Sequence, residues 1–147
     1  TLGATTPSYD LETEVNKNSP TDHINDALIK ETTGNFIGEI DQKPPLFSAI
    51  KKDGVRLYDL ARKGESTEIK SRKITIFEFE ITKIDMPNVD FRVVCSKGTY
   101  IRSLANDFGF SLNTGSHLSA LRRTKSGNFD VNSGISPEEF VDNLFKD

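Results

Sequence analysis

Two alternating apolar runs separated by a proline turn constrain the fold of this chain more than anything else in it. Ile74 and Ile76 stand two apart, Phe77, Phe79 and Ile81 continue on the opposite parity, and Pro87-Asn88 leads into Val89, Phe91, Val93 and Cys95. A period of two sends successive side chains to opposite faces of a strand, so each run offers one apolar face to a core. Strands this close in sequence, joined by a turn, pair antiparallel. The change of parity after Ile76 implies one extra residue in the first strand, a β-bulge. Lys97-Gly98-Thr99 then breaks the pattern, and Ile101, Leu104, Ala105 and Phe108 follow at helical spacing on one stripe. Strands that feed helices outside a repeating β-α-β order predict an α+β fold, with a mixed, mainly antiparallel sheet and flanking helices.

The remaining segments fit that class. Leu2 to Thr5 reads as the tail of a strand, and Tyr9, Leu11 and Thr13 alternate with acidic neighbours as in a second, half-buried strand. Ser19-Pro20 is placed to open a helix through Ile24, Ala27 and Leu28, with Gly34 as its stop. Asp41-Gln42-Lys43-Pro44-Pro45 cannot be helical, because each proline drives its predecessor towards extended geometry. Residues 48–52 read as a short strand that turns at Asp53-Gly54, and Leu57, Tyr58 and Ala61 as a short helix closed by Gly64. Residues 117–123 and 128–131 are expected to be strands. Ser136-Pro137-Glu138-Glu139 is a capping box with proline at the first helical position, launching a last helix that packs through Phe140, Val141, Leu144 and Phe145.

Size and composition narrow the function classes. A chain of 147 residues suits one domain, 1–147, and its mean hydropathy of -0.47 is that of a polar globular protein. No apolar run nears the ~20 residues of a spanning helix, and residues 1–10 lack the basic start and apolar stretch of a secretory leader. Cys95 is the one cysteine, so no disulfide framework exists; with only His23 and His117 beside it, a zinc site is not expected either. A reducing, cytoplasmic setting is the expectation. The net charge of -3 conceals a strong asymmetry. Residues 1–49 hold eight acids and three bases, residues 50–73 eight bases and four acids, and residues 92–125 six bases and Asp107 alone among acids. Contacts with phosphate depend on such local fields, although a solvated basic face would give the same count.

The segment Cys95-Ser96-Lys97-Gly98-Thr99-Tyr100-Ile101-Arg102 carries the chemistry. It places an aromatic ring and a guanidinium at a helix start, where unpaired backbone N–H groups favour anions. On spacing alone, an ordinary strand-to-helix connection with a surface Tyr and Arg remains equally open.

Four motifs in order then resemble the TruB-type tRNA pseudouridine synthases. Gly38-Glu39-Ile40-Asp41-Gln42-Lys43-Pro44-Pro45-Leu46-Phe47-Ser48-Ala49-Ile50-Lys51 resembles the family signature G-x-I-x-Q-x-P-P-x-(Y/F)-S-A-x-K. Asp53-Gly54, Tyr58, Ala61-Arg62 and Gly64 match its D-G-x-x-x-Y-x-x-A-R-x-G. Residues 95–102 match C-S-K-G-T-Y-I-R, and Gly115-Ser116-His117 with Leu121-Arg122-Arg123 is similar to G-(A/S)-H-x-x-x-L-R-R. Any one of these is weak; four in sequence are specific.

The resemblance implies isomerisation of the T-loop uridine at position 55 of tRNA to pseudouridine by an Asp nucleophile, without metal or organic cofactor. Arg102 matches the Arg that pairs with that Asp, Tyr100 the Tyr that lines the uracil pocket, and Leu121 an apolar residue that closes over the base. Lys97, and Lys51 and Arg62 in a candidate RNA-clamping insertion at 48–66, would meet phosphates of the tRNA stem-loop. The expected partner is tRNA, with no membrane and no metal, and a monomeric protein. The family's Asp lies in a G-x-x-D-P-x-A-x-G-x-L segment that should precede Leu2-Gly3 and is absent from these 147 residues; so is a family Tyr just before that strand. Asp41, followed by Gln, and Asp107, followed by Phe, do not fit the pattern. The chain is therefore expected to be the later part of a catalytic domain, inactive alone and without a C-terminal RNA-binding domain. The alternative is a non-catalytic RNA-binding module that uses the same basic face.

Overall fold

The computed structural model describes residues 1–47, 51–52, 55–56, 59, 62–64 and 69–144. Its centre is a three-stranded antiparallel sheet of β3 (Gly38–Gln42), β6 (Arg72–Asp85) and β7 (Asn88–Cys95), with β6 in the middle. The hairpin expected from the alternating runs is β6 and β7, which close from Asp85 opposite Asn88 up to Ile76 opposite Cys95. Its register slips between Ile76 and Glu78, as the parity change implied, and again between Ile81 and Lys83. The first bulge decides which aromatic enters the core. Phe79 is buried and Phe77, two positions before it, is 60% exposed, so the two do not share a face.

Small pairs of strands surround this sheet. β1 (Ala4–Thr5) pairs with β2 (Lys17–Asn18), β4 (Lys51–Lys52) with β5 (Val55–Arg56), and β8 (Lys125–Ser126) with β9 (Phe129–Asp130), all antiparallel. The β4–β5 pair is the hairpin expected around Asp53-Gly54; those two residues and the expected short helix at Leu57, Tyr58 and Ala61 lie outside the described residues. The α-helices whose bounds are described are α1 (Asp26–Thr32), α2 (Ile101–Ser111) and α3 (Pro137–Leu144); Asp59 and Arg62 are helical as well.

Leu2, Ile29, Phe36, Ile74, Ile76, Phe79, Leu104, Phe108 and Leu112 form the core. Phe79 sits among three other rings, with centroids 5.2 Å to Phe91, 5.4 Å to Phe108 and 6.1 Å to Phe36. These tilted pairs lock one face of β6 and β7 to α2 and to the 3-10 turn Thr33–Phe36.

Several expectations are corrected. Residues 7–13 form turns and bends, not a strand. Pro7 offers no N–H to a ladder, and the side chains of Ser8, Asp10 and Thr13 take the hydrogen bonds that a neighbouring strand would have supplied. The first helix does not open at Ser19-Pro20. Asn25 caps it, accepting from the Leu28 N–H at 2.8 Å, and it buries Ile29 and Thr32 while Ala27 stays exposed. Gly34 does not stop it, since the chain continues into the 3-10 turn. Residues 117–123 are not a strand, apart from a bridge just before them between Ser116 and Leu2; the second expected strand is the hairpin arm β9, shorter than foreseen. The capping box is present, with Ser136 and Glu139 bonding each other's backbone N–H at 2.8 and 3.1 Å. Yet the helix it starts does not pack through its apolar side chains: Phe140, Val141 and Leu144 are all about half exposed or more. Phe145 lies outside the described residues.

Candidate active site

The approach to α2 is built from local bonds. Ser96 closes the end of the β6–β7 pair by exchanging backbone and hydroxyl bonds with Thr75, at 2.8 and 2.9 Å. Thr99 then bonds back to the Ser96 carbonyl at 2.9 Å. Between them Gly98 takes φ +85°, a left-handed conformation that a side chain would strain. The chain is thereby aimed so that Tyr100 is the N-cap residue of α2 and Arg102 lies in its first turn.

A buried glutamine fixes that start from a distance. Gln42, at the end of β3, accepts from the Tyr100 N–H at 2.9 Å and donates to the Tyr100 carbonyl at 3.1 Å. One side-chain amide thus satisfies both backbone groups of a residue 58 positions away. Ser103 adds a bond from its hydroxyl to the Lys43 carbonyl at 2.6 Å. Gln42 and Lys43, read in the sequence only as part of a non-helical Pro-Pro segment, thus anchor the helix that carries Tyr100 and Arg102.

Arg102 is partly buried and points to the 7–13 turns. Its Nη1 donates to the Ser8 carbonyl at 3.2 Å and lies 3.9 Å from Asp10 Oδ2. Asp10 was missed in the sequence because residues 9–13 alternate like a strand. The signal that could have found it is an Asp soon after Pro7-Ser8, placed for an Asx turn, and Asp10 Oδ1 does accept from the Glu12 N–H at 3.0 Å. Tyr9 between them adopts φ +66°, uncommon for a residue with a side chain. Its carbonyl accepts from the Leu118 N–H at 2.8 Å, joining this turn to the segment that leads to Leu121.

Two titratable groups near the turn are shifted. Burial pushes the Asp107 carboxyl above its ordinary value, against a bond from Asn106 that works the other way. Burial likewise raises the Tyr9 phenol, and the Asp107 charge adds to it.

The other expected site residues are dispersed. Tyr100 is half-buried and Lys97 exposed. Leu121 is 62% exposed and lines a cavity of about 640 Å³ between β7 and residues 118–124. Neither Arg102 nor Tyr100 lines it, so that cavity does not unite the three. Lys51 is on β4, and its side chain is outside the described residues. Arg62 lies 3.2 Å from Glu12 in a solvent-exposed pair, of a kind worth ~0–1 kcal/mol. No cluster of three or more His, Cys, Asp or Glu side chains suited to a metal ion is found among the described residues. No helix among them is long and apolar enough to cross a membrane.

Comparison with known proteins gives this geometry a context. Residues 1–101 match the family of TruB pseudouridylate synthases, N-terminal domain, and residues 102–147 match the tRNA pseudouridylate synthase B C-terminal domain. The junction between the two falls inside α2, which runs through it unbroken. The tRNA pseudouridine synthase B of Flavobacterium johnsoniae is 67% identical over 143 residues, covering 97% of this chain and 62% of that protein. The same-named protein of Phocaeicola vulgatus is 52% identical over 139 residues, 95% of this chain and 59% of that protein. The chain thus spans about three fifths of the length of these relatives. Among solved structures, a chain of a Cbf5-Nop10-Gar1 complex superimposes with a TM-score of 0.65 at 33% identity, over 83% of this chain and 32% of that one. The sheet, antiparallel throughout the described residues rather than mixed, is with its flanking helices a pseudouridine synthase fold in part, and the chain belongs to the TruB family of pseudouridylate synthases.

Proposed function

We propose that the protein to which this chain belongs is a tRNA pseudouridine synthase that isomerises the T-loop uridine at position 55, acting in the cytoplasm as a monomer. The reaction breaks the N1–C1′ glycosidic bond, turns the base and forms a C5–C1′ bond, with the C5 proton lost and N1 left protonated. The observation that carries this reading is the match of the chain to the two TruB-family domains; the guanidinium of Arg102, held by the Ser8 carbonyl and facing Asp10, is compatible with the role the resemblance gives it. A cation fixed there would pair with and orient a second carboxylate, which is what an Asp nucleophile requires. The nucleophile would come from the segment that the family carries ahead of Leu2-Gly3. Tyr100, two residues before Arg102 at the start of α2, would hold the extruded base by stacking or by its hydroxyl. Leu121 would close over the base, and Lys97, Lys51 and Arg62 would contact phosphates.

The test is conversion of a T-loop stem-loop transcript by the longer protein and by the 147-residue chain. The longer protein is expected to form pseudouridine and the chain alone to form none. Turnover by the chain alone would mean that the nucleophile has been assigned to the wrong segment. Transcript binding by the longer protein without conversion would instead favour the RNA-binding module. In the active protein, Arg102→Lys is expected to lose activity by about tenfold or more while remaining folded, because Nη1 is already engaged by Ser8 and Asp10 and Lys has no planar guanidinium to offer the nucleophilic Asp. Near-normal turnover of that variant would remove Arg102 from the site.

A further inference from the structure

The turn that faces Arg102 contains a buried hydroxyl with more partners than a turn needs. Ser8 is 0% exposed. Its Oγ lies 2.6 Å from Asp10 Oδ1, 2.7 Å from Thr13 Oγ1 and 3.2 Å from the Thr13 backbone N, with the Asp10 carbonyl further off at 3.3 Å. A hydroxyl has one proton to give and two lone pairs to offer. An ionised carboxylate only accepts, so the proton goes to Asp10 Oδ1, the shortest contact, and Thr13 fills the lone pairs through its N–H and O–H. Thr13 Oγ1 is in turn free to accept from the Ser8 N–H at 3.0 Å. Every polar atom of Ser8 is thereby used, and its direction is determined.

The consequence falls on Asp10. Its Oδ1 receives both the Ser8 hydroxyl and the Glu12 N–H at 3.0 Å, which turns Oδ2 towards Arg102 at 3.9 Å. The Ser8 carbonyl accepts from the same Arg102 Nη1 at 3.2 Å. One residue therefore touches both members of the charged pair, the acid through its side chain and the guanidinium through its backbone. The left-handed conformation of Tyr9 allows this, because it reverses the chain between the Ser8 carbonyl and the Asp10 carboxylate. An alanine would fill the same space but leave Asp10 Oδ1 and the Thr13 N–H and hydroxyl without the partner that Ser8 Oγ supplies.

We propose that Ser8 is a positioning residue of the synthase site, holding the Asp10 carboxylate in register with Arg102, with Thr13 holding Ser8. The inference rests on the synthase reading for its kinetic consequence, and its structural consequence can be read without it. In the longer protein, Ser8→Ala is expected to lower kcat about tenfold or more with KM changed by less than about threefold, since a hydrogen bond to a charged group is lost while the RNA-binding surface stays intact. Ser8→Thr, which keeps the hydroxyl, is expected to recover most of that loss. An unchanged kcat in Ser8→Ala, or a Ser8→Thr as slow as Ser8→Ala, would overturn the proposal. Should Ser8→Ala fail to fold, Ser8→Cys, close in volume and a weak donor, is judged by the same kcat criterion. The guanidinium NMR signals of Arg102 separate the two readings. Slowly exchanging, resolved Nη protons in the parent and averaged ones in Ser8→Ala would support the positioning role even if the parent converted no uridine. Identical signals in both would sink that role even if the parent were fully active.

Discussion

Helices α2 and α3 are written in the same local language and end in opposite situations. Each carries an apolar stripe at helical spacing, Ile101, Leu104 and Phe108 in one and Phe140, Val141 and Leu144 in the other. α3 has the better local start, a reciprocal capping box behind Pro137, whereas the N-cap of α2 makes no side-chain capping bond of its own. Nevertheless α2 is the buried one. Leu104 is 1% exposed and Phe140 is 54% exposed. A cap satisfies backbone groups within four residues and acts wherever the helix lies, whereas a stripe is worth its burial only where another surface meets it. α2 meets the Phe36, Phe79 and Phe91 cluster on one side and is pinned by Gln42 and Ser103 at its start.

The comparison can be broken at its apolar stripes first. Leu104→Ala in this chain is expected to cost about 2–5 kcal/mol in denaturant unfolding, as a cavity left in a packed core does. Phe140→Ala is expected to stay within about 0.5 kcal/mol in the same measurement, as exposed substitutions do. Equal losses in the two variants would mean that α3 is buried to the same degree as α2 in solution.

The helix starts are a smaller contrast. Gln42→Ala leaves the half-buried Tyr100 N–H without its partner, while the Tyr100 carbonyl keeps the Leu104 N–H at 3.1 Å, and this is expected to cost about 1–3 kcal/mol of global stability. Ser136→Ala removes a cap of ordinary strength, worth about 1 kcal/mol to α3 itself. Amide exchange distinguishes the two outcomes: protection is lost across the sheet and α2 in Gln42→Ala, and within 137–144 alone in Ser136→Ala. Global loss of protection in Ser136→Ala would show that α3 is coupled to the core.

The smallest expected effect concerns Asp107 on α2. A carboxyl whose folded-state pKa is raised binds its proton more tightly folded than unfolded, so its stabilising contribution is complete below the ordinary carboxylate pKa. That contribution is lost as pH rises through the raised value. Stability should therefore decline over that acidic window relative to an Asp107→Asn variant, whose curve lacks the step. Superimposable pH profiles for the two proteins would contradict the shift.

Much of the fold is legible in the residues themselves because the interactions that encode it are short. Alternation over residues 74–95 specifies the hairpin, the parity slip at Ile76 specifies the bulge, the four apolar positions of 101–108 specify α2, and Ser136 with Glu139 specify the cap of α3. The candidate site is legible in half. Tyr100 and Arg102 stand out by type at a helix start, but the acid that faces Arg102 does not. Asp10 lies 92 residues from Arg102, within a stretch whose alternation imitates a strand; only the side-chain bonds of Ser8 and Thr13 to the turn reveal otherwise.

The amino-acid order by itself determined the periods, caps and turns, each settled by bonds and steric limits that span a few residues. Tertiary structure alone decided that β3 joins β6, that Gln42 reaches Tyr100, that Arg102 meets Ser8 and Asp10, and that α2 is covered while α3 is not. The physical reason is that a local pattern states what a segment can bury or bond, and the surfaces brought together from distant parts of the chain select which of those possibilities is realised.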